Sequence, residues 1–296
     1  MSRSRKRLLT ACGIAAVVVL CFAYGYFIEP YWLRVNETEI RIEGWDPAFD
    51  GLKITAVSDL HAGFHPVDHA MLRRVVETVN STEPDVIVLL GDFVSNHSEM
   101  SQVRMPAAEI ADGLTGLNAR LGVFAVLGNH DGFYDTDLLA GEFEKAGIRV
   151  LQDEVSVIEQ NGKKLRIFGM IDHLHMGGWK DFNLKKRRAL ATAPAEGQII
   201  VLQHGPDIFP AINALDTFGE PYKLMLSGHT HGGQIRFPIL GAPMVPSSFG
   251  QKYTQGHITE NGKHLFVTTG IGNSILPFRF MSPPEIAVLT IRTKTE

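Results

Sequence analysis

The sequence lacks cysteine beyond its first 21 residues, and it lacks a large excess of charge of either sign. Its two cysteines, Cys12 and Cys21, both lie in an apolar segment near the N-terminus. The remainder therefore contains no disulfide, no cysteine-zinc site and no cysteine nucleophile. A cysteine-free domain is compatible with an oxidising compartment but does not require one.

The charge balance excludes one class of partner. The net charge is −4, with 20% charged and 45% apolar residues, which is a globular composition. Because the chain has no basic stripe, no nucleic acid is expected as a partner. The sequence gives no sign of an obligate protein partner either.

A chain of 296 residues suits one large domain or two small ones.

A basic N-terminus (residues 1–7) precedes an uncharged apolar stretch (residues 8–27). A helix of that length spans roughly 30 Å, about the thickness of the hydrocarbon core of a membrane. Aromatic residues, which favour the membrane interface, crowd its far end at Tyr24, Tyr26, Phe27, Tyr31 and Trp32. We predict a cytoplasmic N-terminus at 1–7, a single-pass transmembrane signal-anchor at 8–27 and a linker at 28–37.

The alternative for this segment is a cleaved secretory peptide, since Ala23-Tyr24-Gly25 is a loose small-x-small cleavage site. The length and the aromatic flank favour an uncleaved anchor. A twin-arginine signal is absent because Lys6 separates Arg5 from Arg7. In either case, the positive-inside rule places the rest of the chain on the outer, periplasmic or extracellular face.

Apolar strands alternate with helix-periodic stretches in the first half of the remaining chain. This rhythm predicts an α/β core with parallel strands, with strands at 38–43, 52–58, 85–90 and 123–127 and helices at 67–80 and 106–118. Further on, Asn-Gly turns predict two hairpins, 155–160 with 163–168 and 257–259 with 264–268. The other predicted elements are a helix at 184–193 and strands at 198–202, 223–226 and 285–292.

Five short motifs of Asp, His and Asn each follow an apolar run. They are Asp59-Leu60-His61, Gly91-Asp92, Gly128-Asn129-His130-Asp131, His204 and Gly228-His229-Thr230-His231. Taken singly, each has an ordinary explanation as a turn, a helix cap or a structural histidine. Ligands of α/β sheets, however, gather beyond the carboxyl ends of the strands, where these motifs fall. Jointly they supply enough ligands for two adjacent divalent cations, a recurrent device for phosphate-ester hydrolysis.

Spacing and side-chain chemistry support the joint interpretation. Asp59 and His61 are two positions apart, as are His229 and His231, so each pair can leave an extended strand end on one face. The Asp92 carboxylate has two oxygens and can bridge two cations, which histidine cannot do. Two divalent cations with two carboxylates leave a net positive charge, which attracts a phosphate dianion and lowers the pKa of a bridging water.

The neighbours of Asn129 have separate predicted roles. Asn129 offers a neutral carbonyl oxygen to a cation, while His130 can face the substrate. Asp131 can then hydrogen-bond the His130 imidazole, fix its orientation and raise its pKa.

This ordered series of motifs resembles the calcineurin-like metallophosphoesterases, and within them the bacterial membrane-associated branch of YaeI- and YkuE-like phosphodiesterases. Supporting residues are Ser227 to Gln234, Arg279 and Pro284-Glu285-Ile286, and the resemblance covers roughly residues 38–292. It implies a four-layer α/β/β/α sandwich over residues 38–296, with a dimetal site at its strand ends.

The resemblance also implies the ligand sets. One metal would be held by Asp59, His61, Asp92 and His231, and the other by Asp92, Asn129, His204 and His229. His130 would be the substrate-facing acid, with Asp131 as its partner. The sequence departs from the family pattern at Ser95, where a second aspartate often follows the bridging one. Ser95 is not a ligand, so this departure concerns the tuning of the site.

The predicted reaction is hydrolysis of a phosphodiester or pyrophosphate. A metal-bridging hydroxide attacks phosphorus while His130 assists the leaving group. Arg279 and Asp172 are candidate substrate contacts, although either can be a structural ion-pair member instead. Mixed nitrogen and oxygen ligands suit Mn²⁺, Fe²⁺ or Zn²⁺ better than calcium.

The membrane segment favours a lipid- or envelope-linked phosphoester as substrate. A specific candidate is the UDP-2,3-diacylglucosamine pyrophosphatase reaction of lipid A biosynthesis, but it needs a cytoplasmic active site, contrary to the charge-based topology. Two other functions stay open. One is a non-catalytic, membrane-tethered metal-binding or sensor protein, against which the intact His130 counts. The other is a nuclease, which the acidic balance disfavours.

Overall fold

Strands and helices alternate through most of the chain. The computed structural model describes residues 3–95, 103–175, 179–214 and 217–294. Its helices are α1 (Arg3–Phe27), α2 (His69–Ser81), α3 (Ala107–Leu114), α4 (Asn129–Gly132), α5 (Thr136–Lys145), α6 (Trp179–Ala191) and α7 (Phe209–Ala214). Its strands are β1 (Arg34–Ile42), β2 (Leu52–Val57), β3 (Val86–Leu89), β4 (Val123–Ala125), β5 (Arg149–Val150), β6 (Glu154–Gln160), β7 (Lys163–Gly169), β8 (Gln198–Leu202), β9 (Leu224–Ser227), β10 (Gly256–Glu260), β11 (Lys263–Val267) and β12 (Glu285–Thr293).

Within the described residues, the first sheet has six strands in the order β1-β12-β2-β3-β4-β5. All neighbours in it are parallel except β12 and β2. Helices α2, α3 and α5 cover its outer face. The buried positions of α2, Met71, Leu72, Val75 and Val79, follow the helical spacing and pack against outward-facing strand residues such as Leu89.

The second sheet also has six strands, in the order β10-β11-β9-β8-β7-β6. The hairpins β6–β7 and β10–β11 form its two edges, and the strands between them are parallel. Both hairpins were predicted from Asn-Gly pairs. Asn161 and Gly162 have φ values of 53° and 73°, as a type I′ turn requires. Helices α6 and α7 cover the outer face of this sheet.

The two sheets pack face to face, so the fold has four layers, as predicted. Alternate residues of each strand point inward, and Ile54 and Val88 of the first sheet meet Ile167 and Ile200 of the second in a shared core. The α/β/β/α order brings the carboxyl ends of the central parallel strands of both sheets to neighbouring positions.

Several element boundaries differ from the predictions. Strand β1 begins at Arg34, inside the stretch predicted as a linker, and pairs with β12 along its whole length. The helix predicted at 184–193 spans Trp179–Ala191. Helices α4, α5 and α7 and the short strand β5 were not predicted from the sequence.

Helix α1 is long and apolar enough to cross a membrane. Its end is tied to the rest of the fold. The carbonyl of Gly25 accepts the Arg279 N–H at 3.0 Å, and the buried Glu29 carboxylate accepts the N–H groups of Met281 and Ser282. The segment between α1 and β1 is therefore anchored to the loop that precedes β12.

Candidate metal centre

The seven predicted ligand residues follow the carboxyl ends of five parallel strands. Asp59 and His61 come after β2, Asp92 after β3, Asn129 after β4, His204 after β8, and His229 and His231 after β9. Since these strands lie side by side in the two packed sheets, their ends deliver the side chains to one rim.

The first group of donor atoms comprises Asp59, His61 and His231, all buried. The Nε2 atoms of His61 and His231 are 3.1 Å apart, and His231 Nε2 lies 3.4 Å from Asp59 Oδ1. Asp92 Oδ2 lies 3.7 Å from His61 Nε2. The first predicted ligand set is therefore brought together.

The second group comprises Asp92, His204 and His229. Asp92 Oδ2 lies 3.2 Å from His204 Nε2, which in turn is 3.1 Å from His229 Nδ1. Asp92 thus adjoins both groups, as a bridging ligand must. Asn129 Oδ1 is buried and has no hydrogen-bond partner within the described residues. An unpartnered buried oxygen of this kind suits a cation ligand.

These separations fit metal binding. Atoms that share a cation at about 2.1 Å lie about 3–3.5 Å from one another, which matches the contacts within each group. The donors are imidazole nitrogens and carboxylate or amide oxygens, a set suited to borderline divalent metals. His204 Nδ1 contacts the Leu90 carbonyl at 2.7 Å, which turns Nε2 toward Asp92.

Five of the seven residues hold left-handed backbone conformations. Their φ values run from 44° to 70°, and they are Asp59, His61, Asp92, His229 and His231. Each such conformation costs a non-glycine residue about 1–2 kcal/mol. The surrounding contacts must offset this cost. They hold the backbone in a conformation that it does not prefer, and this conformation brings the side chains together at the rim.

Glycine makes one close approach possible. A Cβ atom on Gly128 would collide with Asp92 Oδ1. The absence of that atom lets the turn after β4 pack directly on the Asp92 carboxylate. The backbone N–H of His130 then donates to Asp92 Oδ1 at 2.8 Å.

Asp131 does not act as the predicted partner of the His130 ring. Its buried carboxylate accepts four backbone N–H groups at 2.8 to 3.1 Å. The donors are Asp92, Phe93, Val94 and Gly128. These bonds use both oxygens. Asp131 therefore joins the loop that carries Asp92 to the turn that carries Asn129.

The electrostatics of the centre differ among its histidines. Burial opposes protonation of His204, but the Asp92 carboxylate outweighs it and raises the pKa of His204 well above its ordinary value, so this ring must release a proton when it binds a cation. Burial and the neighbouring His204 lower the pKa of His229 to about 4, and burial also holds the pKa of His231 well below its usual range. Both rings are therefore neutral at neutral pH. Burial opposes ionisation of Asp92, but the charges of His204 and His130 outweigh it and hold its pKa well below normal. Burial raises the pKa of Asp59 to about 6, and a bound cation favours its ionised form.

His130 occupies the substrate side of the centre. Its side chain is 13% exposed, its Nε2 lies 3.9 Å from Asp92 Oδ2, and it lines the cavity that leads to the metal groups. This placement suits a proton donor to a leaving group.

The two predicted substrate contacts lie elsewhere. Arg279 has no exposed surface, and its guanidinium donates to the carbonyls of Thr269, Gly272 and Ser282. Asp172 is 3% exposed and lies 3.5 Å from His173 Nδ1. Neither side chain lines the cavity, although Arg279 Nη2 lies 3.3 Å from His231 Nδ1.

Two polar residues close to the site, His175 and Gln203, were not predicted from the sequence. His175 Nε2 contacts the Asn129 carbonyl at 3.0 Å, and the buried Gln203 accepts the His204 N–H at 2.8 Å. The signal for His175 was available, because Asp172-His173-Leu174-His175 also follows an apolar strand, β7. Ser95, where the sequence departs from the family pattern, is buried.

Comparison with known proteins agrees with this geometry. The family model described as calcineurin-like phosphoesterase matches residues 52–233. The metallophosphoesterase YkuE of Bacillus subtilis is 32% identical over 277 residues, covering 92% of this chain and 90% of that protein. Phosphodiesterase YaeI of Escherichia coli is 29% identical, covering 97% and 99%. The UDP-2,3-diacylglucosamine pyrophosphatase LpxG of Chlamydia trachomatis is 27% identical, covering 93% and 94%.

Proposed function

We propose that this protein uses two divalent cations to hydrolyse a phosphodiester or a pyrophosphate. The chain belongs to the calcineurin-like phosphoesterase family and is a metal-dependent phosphoester hydrolase. The observation that carries the two-metal proposal is the position of Asp92 between two groups of buried donor atoms. This arrangement, and the intact His130, also count against a non-catalytic metal-binding or sensor protein.

Each group of side chains has an assigned cation. Asp59, His61, Asp92 and His231 would hold one, and Asp92, Asn129, His204 and His229 would hold the other. When bound, the cations supply Lewis-acid stabilisation of the phosphoryl oxygens and lower the pKa of the attacking water. The donor set suits Mn²⁺, Fe²⁺ or Zn²⁺.

The protein's own contribution to the reaction centres on His130. Attack of water oxygen on phosphorus breaks the bond to the leaving oxygen, which then needs a proton. The His130 ring lies beside the Asp92 carboxylate and lines the cavity. From there it delivers that proton to the leaving oxygen. Asp131 holds the His130 backbone in place through the Gly128 turn.

The substrate is a lipid- or envelope-linked phosphoester. Two observations support this: α1 can span a membrane, and the relative LpxG is named for a lipid-like nucleotide substrate. We place the domain on the outer face of the membrane, since Arg3, Arg5, Lys6 and Arg7 precede the span. A UDP-2,3-diacylglucosamine substrate would instead require the domain on the cytoplasmic side.

Hydrolysis of bis-p-nitrophenyl phosphate with added Mn²⁺ tests the catalytic proposal. Wild-type protein should turn over this substrate. The Asp92→Ala variant should lose roughly three orders of magnitude in rate, because removing a shared ligand forfeits several kcal/mol of transition-state stabilisation. Asp137→Ala, an exposed carboxylate on α5, is the matched control and should keep wild-type rate. Turnover by Asp92→Ala at the wild-type rate would reject the proposal.

A topology reporter tests the location. Alkaline phosphatase, which is active only after export, is fused to the C-terminus. An active fusion supports the outer face. An inactive fusion, with a matching C-terminal green fluorescent protein that fluoresces, places the domain in the cytoplasm and reopens the UDP-2,3-diacylglucosamine alternative.

A further inference from the structure

A cavity of about 840 Å³ runs from the metal centre to the side of α1. His130 and His231 line its inner end, and Val18 and Phe22 of α1 line its outer end. Its walls between these ends come from two loops, within residues 233–246 and 274–280, and are mainly apolar. A phosphoester bound at the metals therefore adjoins an apolar groove, and the membrane helix forms part of its wall.

The position of α1 against the groove is fixed by direct contacts. The rings of Phe22 and Phe278 meet edge to face, with centroids 5.6 Å apart, and Tyr24 meets Phe280 at 6.3 Å. A Cβ atom on Gly25 would lie 2.7 Å from the Arg279 carbonyl oxygen. This close approach holds the helix against the loop that precedes β12.

With α1 across a bilayer, the outer end of the groove would lie at hydrocarbon depth. Val17, which also lines the groove, precedes the end of the apolar span at Phe27 by ten residues, or about 15 Å of helix. The hydrocarbon core is about 30 Å thick, so this opening would face the acyl region and not water.

The groove also exposes apolar side chains from the domain itself. Met244 and Ile275 line it and are 79% and 76% exposed. Side chains of this kind clustered in a groove mark a site for an apolar ligand. A phosphoester without an apolar group gains nothing from such walls.

We propose that this groove holds an acyl chain of the substrate, which enters sideways from the bilayer, and that α1 is part of the substrate site as well as the anchor. The inference rests on the proposed function, since it places the scissile phosphorus at the metals. It narrows the substrate class to phosphoesters that carry at least one fatty-acyl or long alkyl chain.

A chain-length series measures the groove directly. The full chain in lipid nanodiscs is assayed with methyl, butyl, hexyl and octyl p-nitrophenyl phosphate, each below its micelle concentration. Each methylene that the groove encloses should raise kcat/KM about fourfold. The readout is the octyl-to-methyl ratio of kcat/KM within each protein, so that differences in active fraction cancel.

Paired substitutions on α1 separate the groove from partition into the nanodisc. Val18→Trp fills the groove and should lower the octyl-to-methyl ratio at least tenfold. Val19→Trp places the same ring one position away, on a residue that is 65% exposed and does not line the groove, and should keep the wild-type ratio.

A second pair tests the domain side of the groove. Ile275 has a φ of 62° and Ile239 a φ of 73°, and asparagine tolerates this backbone region better than isoleucine does. Ile275→Asn should lower the ratio severalfold, whereas Ile239→Asn, outside the groove lining, should not.

The outcomes distinguish the two proposals. Equal octyl-to-methyl ratios in wild type, Val18→Trp and Ile275→Asn would overturn the groove proposal. If the methyl ester is still hydrolysed in that case, the proposed function stands. A wild-type protein that hydrolyses none of the four esters overturns both.

Discussion

At the residue scale, the centre depends on side chains that the backbone would not place by its own preference. Asp59, Asp92 and His231 all sit in left-handed conformations. Hydrogen bonds to the Asp131 carboxylate hold the Asp92 loop against this strain. Small changes in the packing of this loop should therefore affect metal binding before they affect the fold.

Gly128→Ala tests the close approach of the turn to the bridging carboxylate. The new Cβ would displace Asp92 Oδ1, so hydrolysis of bis-p-nitrophenyl phosphate should fall about 100-fold or more, with loss of bound metal measured by inductively coupled plasma mass spectrometry. In the control Gly141→Ala, the added Cβ meets no atom within 4 Å. That variant should keep full activity and gain about 0.5–1 kcal/mol of helix stability. Full metal occupancy in Gly128→Ala would contradict the bridging role.

Arg279→Lys tests a positioning role. Arg279 Nη2 donates to the Gly272 carbonyl, which also lies 3.3 Å from His231 Nδ1. Lysine lacks the planar fork of arginine, so His231 should lose its fixed orientation. Metal affinity, measured by competition with a chelator, should fall about 10–100-fold, while kcat at saturating metal changes much less.

The control for this substitution is Arg292→Lys, whose side chain is 42% exposed and which bonds Asp50. It should leave metal affinity unchanged. Equal affinities in Arg279→Lys and Arg292→Lys would show that Arg279 does not orient His231.

The clustering of the candidate ligand residues could be predicted from the sequence because each follows an apolar strand, and strand ends of a parallel sheet converge. The role of Asp131 could not be predicted, since its partners are backbone N–H groups that every residue carries. The burial of Arg279 could not be predicted for a related reason. Nothing in its sequence neighbourhood shows that the guanidinium is buried behind a metal ligand.

At the element scale, the junction between α1 and β1 joins the anchor to the catalytic loops. Glu29 bonds the loop before β12, and Arg74 of α2 donates to the Tyr31 carbonyl at 2.7 Å. The stretch predicted as a linker therefore fixes the position of α1 relative to the wall of the groove.

Glu29→Gln tests this junction. The amide keeps one acceptor and points an N–H group at a backbone donor, leaving a buried donor unsatisfied at a cost of about 1–3 kcal/mol. The thermal midpoint of the full chain should fall by several degrees. Glu39→Gln, with a side chain that is 45% exposed, should not change it. Equal midpoints would mean that the junction adds no stability.

Strong periodicity predicted most elements, and its absence explains the misses. Helix α2 has a clear apolar stripe and was found within two residues at each end. Helix α5 follows a polar turn and buries only Leu139 and Phe143, so no stripe marks it. The parallel pairing of β1 with β12 joins residues about 250 positions apart, which local patterns do not encode.

At the scale of the whole molecule, the two sheets act as one platform for the centre. Asp59, Asp92 and Asn129 come from the first sheet, and His204, His229 and His231 come from the second. The metal groups therefore form only when the two sheets pack in the observed register. The family resemblance predicted the four layers, whereas the α/β alternation alone predicted only parallel strands with helices. The groove along α1 was not predicted, because it depends on where the anchor packs.

Counting the metal ions in active protein tests the central claim most directly. Elemental analysis and anomalous diffraction of catalytically active, metal-replete protein should find two ions per chain, about 3.5–4 Å apart, on either side of the Asp92 carboxylate. One ion or none at that position in active protein would contradict the two-metal account.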